Sequence, residues 1–436
     1  MRIKRTAMAM AVAFMVLCGS VVPATAATPG MTYTPVSGSS NIIEKYLVMD
    51  KKANVPNVTF SFSIKAGSAQ AASDGNLEVF AGDDKDKVAG TPTIGTAAFS
   101  QGDTTYDSVQ TLPSSVTVQK QDDGATDNKD NVELTDDEKY ARKDVTVDFS
   151  SVTYNEPGVY RYIITEDSGT NGVKGITNDP DDTRIMDVYV VETSDGTLKV
   201  EGYVLHNNDD SSAVPENADG SYNSVNSTKS DGFVNDYATY DLTIEKEVKG
   251  NQGSRDEYFE FTLKITDAVP GTVYDVDLSR ADSTTKTNGI NTTSYTNPAK
   301  LTVGDDGTVT QTYWLQNGQS IIVQGIAQDT AYSVNENLST MKTEGYKVSA
   351  VVTGDTATGD SVTDGTRAEG SAISMDESAL SITDSNLVAD TTVKYTNQKN
   401  GIIPTGISVA VLPGAAMFVA GACGFAVLKR RKKNEE

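Results

Sequence analysis

Lysine, glutamate and asparagine recur in that order twice along this chain: Lys45, Glu166 and Asn235, then Lys246, Glu336 and Asn397. Each lies in a short alternating apolar run, where the two-residue period of a β-strand can turn its side chain inward among apolar neighbours. Burial without a partner is costly to either charge; it lowers the pKa of an amine and raises that of a carboxyl. A buried amine–carboxyl pair can therefore pass one proton and become neutral together. The neutral ε-amine is a nucleophile. Set against an asparagine amide carbon, it can attack while a protonated glutamic acid hydrogen-bonds the amide oxygen and relays protons as ammonia leaves. What remains is a Lys–Asn isopeptide bond, formed once, with no cofactor, no metal and no outside enzyme. A lone Lys, Glu or Asn in a strand is ordinarily a solvated surface residue. The ordered triplet, present twice in aromatic contexts, sets these six apart.

The elements that must position them follow a weak internal repeat. The first copy opens Ile43-Glu44-Lys45-Tyr46 and reaches Phe60-Ser61-Phe62; the second opens Ile244-Glu245-Lys246-Glu247 and reaches Phe259-Glu260-Phe261. Tyr162-Ile163-Ile164-Thr165-Glu166 in one corresponds to Tyr332-Ser333-Val334-Asn335-Glu336 in the other. Each copy closes on an aromatic-x-Asn run, Phe233-Val234-Asn235 and Tyr395-Thr396-Asn397, with a boundary near Tyr237–Tyr240. Met186–Val191 and Leu198–Val204 flank Thr193-Ser194-Asp195-Gly196, a hairpin signal, and Val145–Phe149 and Tyr160–Ile164 also alternate. No long stretch outside the two ends has helical period, so the expected fold is all-β, of sandwich type. A Lys in each first strand bonded to an Asn in each last would carry tension straight across its unit. It would also close loops of 190 residues (45 to 235) and 151 residues (246 to 397). By analogy with disulfides each closure is worth ~5 kcal/mol.

The ends are of a different kind. Residues 1–26 read as a secretory signal: Arg2, Lys4 and Arg5, an apolar run from Ala7 to Val22, then Ala24-Thr25-Ala26. Leu17 before Cys18 is too large for a lipoprotein site. Ile407 to Leu428 is an apolar run of 22 residues, long enough to cross a bilayer. The basic tail Lys429-Arg430-Arg431-Lys432-Lys433 would hold residues 429–436 in the cytoplasm.

The chain has 436 residues, 60 acidic and 36 basic. Setting aside eight bases and two acids in the ends, residues 27–405 carry a formal charge near −30. Charge of that sign repels phosphate backbones and speaks against nucleic-acid binding. Both cysteines, Cys18 and Cys423, fall in the hydrophobic ends, so the exported part has neither disulfide nor thiol nucleophile. One histidine cannot supply a zinc set or a serine–histidine pair, and His206, beside Asn207, Asn208, Asp209 and Asp210, is expected in a solvated loop. An ordinary enzyme is thereby disfavoured. The acidic stretch Asp122–Glu138 reads as a surface insertion; calcium is the alternative, but no spacing there matches the hand motif. The same holds for Asn178-Asp179-Pro180-Asp181-Asp182.

Taken with their flanks, these residues resemble the major pilins of Gram-positive bacteria built from streptococcal-type isopeptide-linkage domains. The resemblance is carried by Lys45–Asp50 with Val55–Phe60, by Glu156-Pro157-Gly158-Val159-Tyr160-Arg161-Tyr162 and by Gly232-Phe233-Val234-Asn235. It implies two tandem immunoglobulin-like sandwiches, residues 27–238 and 239–400, with bonds Lys45–Asn235 (Glu166) and Lys246–Asn397 (Glu336). Residues 401–406, with Ile402-Ile403-Pro404-Thr405-Gly406 ahead of the apolar run and bases, look like a sortase sorting signal. The enzyme's cysteine would attack the Thr405 carbonyl and release Gly406 onward. In the resembling pilins the amine that resolves this acyl-enzyme is a lysine shortly before the last strand of the first domain, and Lys229 fits. The implied function is the shaft subunit of an extracellular pilus, held in the membrane before sorting. Its partners would be other copies of itself, a pilus-class sortase, accessory pilins and the peptidoglycan. The alternative is a wall-anchored adhesin or a tip or base pilin with the same signal.

Overall fold

The computed structural model describes residues 41–72, 78–110, 121–122, 125–126, 132–167, 172–207, 229–281, 286–287, 294–354, 367–372, 378–384 and 386–401. The signal segment 1–26, the pentad 402–406, the apolar run 407–428 and the tail 429–436 lie outside them. Among the described residues no helix is long and apolar enough to cross a membrane. The fold is all-β: its one described helix is the single turn Met341–Glu344.

Among the described residues the two larger hydrophobic clusters each lie between two sheets. The first lies between a sheet ordered Ile176–Thr177, Gly232–Tyr237, Asn41–Asp50, Glu138–Asp148, Thr93–Ile94 and a facing sheet ordered Lys229–Ser230, Leu198–Asn207, Thr183–Glu192, Gly158–Glu166, Phe62–Ala66. The second lies between a seven-stranded sheet, with Thr239–Lys249 beside Thr391–Gln398 at its centre, and a four-stranded sheet ordered Val309–Leu315, Phe259–Thr266, Ala331–Asn337, Ala379–Asp384. Ala238, buried, is the single residue between the Gly232–Tyr237 strand and Thr239–Lys249.

Alternation sets the inward rows. Leu242, Ile244, Lys246 and Val248 are buried along one strand, Val393, Tyr395 and Asn397 along its neighbour, and Tyr332, Val334 and Glu336 across the core. The first strand of the chain departs from this pattern: Ile43 through Met49 are all buried. Ile43, Leu47 and Met49 face the main core, while Tyr46 and Val48 pack outward against Val132 and Tyr140, with Tyr106, Leu134 and Val234 at the rim.

Of the acidic stretch Asp122–Glu138, read as a surface insertion, Glu133, Thr135, Asp136 and Asp137 are exposed, and Val132 alone departs from that reading. The end of the stretch supplies Val132 as a cover for the outer face of the Lys45 strand, and Glu138 already begins the next long strand. The expected hairpin forms with Glu192 opposite Leu198. Its turn closes with the Thr193 N–H donating to Thr197 O at 2.8 Å, and Gly196 takes a φ of 82° that other residues resist. His206 is in a strand opposite Ile185 and not in a loop, because that hairpin runs on to Asn207.

Candidate functional site: two buried Lys–Glu–Asn clusters

The chain's first strand and the last strand of its first half run parallel as immediate neighbours, with Lys45 opposite Phe233 and Leu47 opposite Asn235. In the second half Lys246 lies opposite Tyr395 and Val248 opposite Asn397. The offset is identical: each asparagine stands two residues beyond its lysine's register partner. In a parallel pair that places both side chains on one face, diagonal to one another. The approach of strands is close at Gly232, where a Cβ would fall 1.6 Å from Glu44 O, so only glycine fits.

Each glutamate arrives from the opposing sheet. Glu166 pairs across strands with Phe62, and Glu336 with Phe261. The preceding phenylalanine of each Phe-x-Phe segment lies under the ammonium, with Lys45 Nζ 4.6 Å from the Phe60 ring centroid and Lys246 Nζ 4.3 Å from that of Phe259. The repeat is thus preserved down to ring placement.

All six residues are buried, none more than 2% exposed. In the first cluster Lys45 Nζ donates to Glu166 Oε2 at 2.9 Å, and Asn235 Nδ2 donates to Glu166 Oε1 at 2.7 Å. In the second, Lys246 Nζ and Asn397 Nδ2 both donate to Glu336 Oε1, at 2.5 and 2.8 Å. One carboxyl therefore bridges amine and amide in each. Loss of hydration holds both lysines down to about 8, against the opposing pull of Glu166 and Glu336 respectively. An amine so placed is far easier to neutralise than one in water.

The glutamates meet the amide nitrogens and not the amide oxygens, because each asparagine turns its Nδ2 toward the opposing sheet. At the first cluster the oxygen is taken instead by a group that residue types do not advertise: the Asp179 backbone N–H donates to Asn235 Oδ1 at 2.9 Å. The segment 178–182, expected as a solvated loop, is anchored there. Asp179 Oδ2 accepts from Arg184 Nη2 at 2.7 Å and from the Val234 N–H at 2.9 Å, and the Asp179 side chain is 8% exposed. The buried guanidinium of Arg184, itself over the Phe233 ring, supplies the reason for that turn to fold inward.

Lys229 opens the short strand Lys229–Ser230, with its backbone opposite His206. It stands at the edge of the sheet that carries Glu166, apart from the cluster residues in sequence and strand. The pentad Ile402, Ile403, Pro404, Thr405 and Gly406 lies outside the described residues. Among the described residues no group of three or more His, Cys, Asp or Glu is placed to hold a metal ion.

In comparison with known proteins the chain is similar to pilins. Residues 110–238 match the family described as a Spy0128-like isopeptide containing domain, a span that holds Glu166 and Asn235. Residues 240–374 match a domain of unknown function (DUF7601), a span that holds Lys246 and Glu336. A curated pilin of Streptococcus pyogenes serotype M1 is 24% identical over 425 residues, covering 96% of this chain and 98% of its own length. Among solved structures, the major pilin of Streptococcus pyogenes aligns at 18% identity over 84% of this chain and all of its own, with a TM-score of 0.44. The T3.2 major pilin of the same species aligns at 18% identity over 83% of this chain and 99% of its own, with a TM-score of 0.46. At those scores the superpositions add nothing to the sequence matches.

Proposed function

We propose that this chain, a pilin of the streptococcal type by its isopeptide domain and its full-length curated relative, is the shaft subunit of a covalent pilus. Its two units, residues 27–238 and 239–400, are read as tandem immunoglobulin-like sandwiches, each locked by its own Lys–Asn bond. The observation that carries this reading is the repetition of one buried Lys–Glu–Asn constellation, with the same strand offset, in both halves.

The reaction follows from the contacts. A proton passes from the Lys45 ammonium to Glu166, leaving a neutral amine, and Nζ attacks Cγ of Asn235. Glu166 returns that proton to Nδ2 through Oε1, already at 2.7 Å. The Cγ–Nδ2 bond breaks, ammonia leaves, and Nζ gives a second proton back to the carboxylate. The Nζ–Cγ amide remains beside a protonated Glu166. Lys246, Glu336 and Asn397 perform the same steps. The turnover is single, so the protein is a substrate of its own chemistry and no enzyme in the ordinary sense.

Geometry gives the bonds their purpose. First and last strands are parallel neighbours, so tension applied at the two ends would shear them directly past one another. A covalent rung between them diverts the load from Lys45 to Asn235. From there it runs through the buried Ala238 to Lys246, and across again to Asn397. Everything between the rungs is relieved.

Assembly is read from the sorting signal and the acceptor. A pilus-class sortase would cleave after Thr405 and join that carbonyl to Lys229 of a neighbouring copy. Head-to-tail contacts of this kind do not close into a ring. The membrane-held form, the accessory pilins and the final attachment to peptidoglycan belong to the same reading. Replacing Lys229 with Arg tests it: the ladder of high-mass species in cell-wall extracts on denaturing gels should vanish. An unchanged ladder would move the acceptor elsewhere, and no ladder in the wild type would favour the single-copy adhesin.

A further inference from the structure

We infer that the backbone N–H of Asp179 is the oxyanion donor of the first isopeptide reaction, with no counterpart at the second cluster among the described residues. This rests on the proposed Lys45–Asn235 bond and goes beyond it, since it names the group that takes up charge on the amide oxygen.

Attack of Nζ on Cγ moves an electron pair onto Oδ1. A donor already aimed at that oxygen stabilises the tetrahedral intermediate without reorganising, and does so most strongly where water is excluded. Asp179 N–H meets this requirement at 2.9 Å from Oδ1 of a fully buried asparagine. Three tethers on the Asp179 side chain hold the donor in place. Oδ1 accepts from the Asp181 N–H at 3.0 Å, while Oδ2 accepts from the Val234 N–H and from Arg184 Nη2. Arg184 in turn donates from Nε to Gly232 O at 2.9 Å, which ties the turn to the strand that carries Asn235. The glutamate is thereby left free for proton transfer between amine and leaving nitrogen.

The second cluster is arranged differently, and there Asn397 Nδ2 also donates to Met341 Sδ at 2.7 Å. Among the described residues Asn397 Oδ1 is buried with no hydrogen-bond partner, and so is Glu336 Oε2. Both donors to Glu336 crowd its Oε1.

The test uses the full exported chain made by cell-free synthesis, quenched in acid at intervals. The fraction of each Lys–Asn cross-linked peptide is read by mass spectrometry after proteolysis. Two variants are compared. Asp179→Ala removes the three side-chain tethers but keeps the N–H; Asp179→Pro removes the N–H as well. Loss of one oxyanion donor typically slows a reaction by about 100-fold to 1,000-fold. The Lys45–Asn235 bond should form slower by about that factor in Asp179→Pro than in Asp179→Ala, while the Lys246–Asn397 bond in the same molecules keeps its wild-type rate. Equal rates in the two variants would overturn the assignment.

Should the proline variant lose the first sandwich, seen as general protease sensitivity there, the wild type decides. Its Asp179 amide should exchange with solvent deuterium at least 100-fold slower than an open turn, and exchange at the open rate would overturn the assignment. Absence of the first cross-link from the wild type would instead remove the parent reading, and is separately visible.

Discussion

Asn235→Ala isolates the mechanical core of the account. It removes the electrophile but leaves Lys45 and Glu166 as a hydrogen-bonded pair, so no lone charge is stranded in the core. Two effects then add. Opening the loop from residue 45 to residue 235 restores unfolded-state entropy worth ~5 kcal/mol by the disulfide relation. The Asp179 N–H loses its buried acceptor, a further loss of about 1–2 kcal/mol. For a unit of this size each kcal/mol moves the midpoint by about 2–4 °C, so the first half should melt roughly 12–28 °C lower. The measurement is scanning calorimetry of the full exported chain, paired with intact mass, which should rise by one ammonia beyond the side-chain change. The second half should keep its transition, since Lys246 and Asn397 are untouched. A variant whose mass proves the bond absent, yet whose first transition stays within a few degrees of wild type, would refute the loop-closure reasoning.

Other outcomes follow from the same geometry. Glu336→Ala should leave Lys246 and Asn397 unjoined and return one ammonia to the mass, with the first bond intact; a normal mass would remove Glu336 from the chemistry. With Asn235→Ala and Asn397→Ala combined, both lysines stay amines, held to about 8 in the fold against 10.5 unfolded. Between those values the unfolded chain binds more protons, so stability should rise with pH, by up to about 3 kcal/mol per lysine. Denaturant unfolding at the two ends of that range checks it, and a rise equal to that of the wild type, whose amines the proposed bonds would consume, would contradict it. Lys229→Arg should abolish polymer while leaving both internal bonds and the monomer's melting behaviour unchanged.

Much of this was legible in the sequence because repetition exposes it. Phe60 with Phe62 and Phe259 with Phe261 could be matched by eye, and the structure gives each pair the same two duties: a ring under the ammonium and a cross-strand partner for the glutamate. The alternation that put Lys246, Glu336 and Asn397 on inward rows is visible in the letters alone. Lys45 was harder, since Ile43 to Met49 are buried on both faces, and the outer cover, Val132 and Tyr140, comes from far along the chain. Asp179 was misread for a deeper reason. Its contribution is a main-chain N–H, which every residue but proline owns, and the acidic run around it looks solvated until Arg184 is seen to draw it inward. Which end of an amide faces a carboxyl is likewise a matter of atoms, and no pattern of residue types encodes it.

The most direct measurement of the central claim is the intact mass of the exported chain, followed by peptide mapping. The account predicts a mass two ammonias below that of the sequence, with Lys45 joined to Asn235 and Lys246 joined to Asn397. A chain at its full sequence mass, with all four side chains recovered on separate peptides, would contradict it.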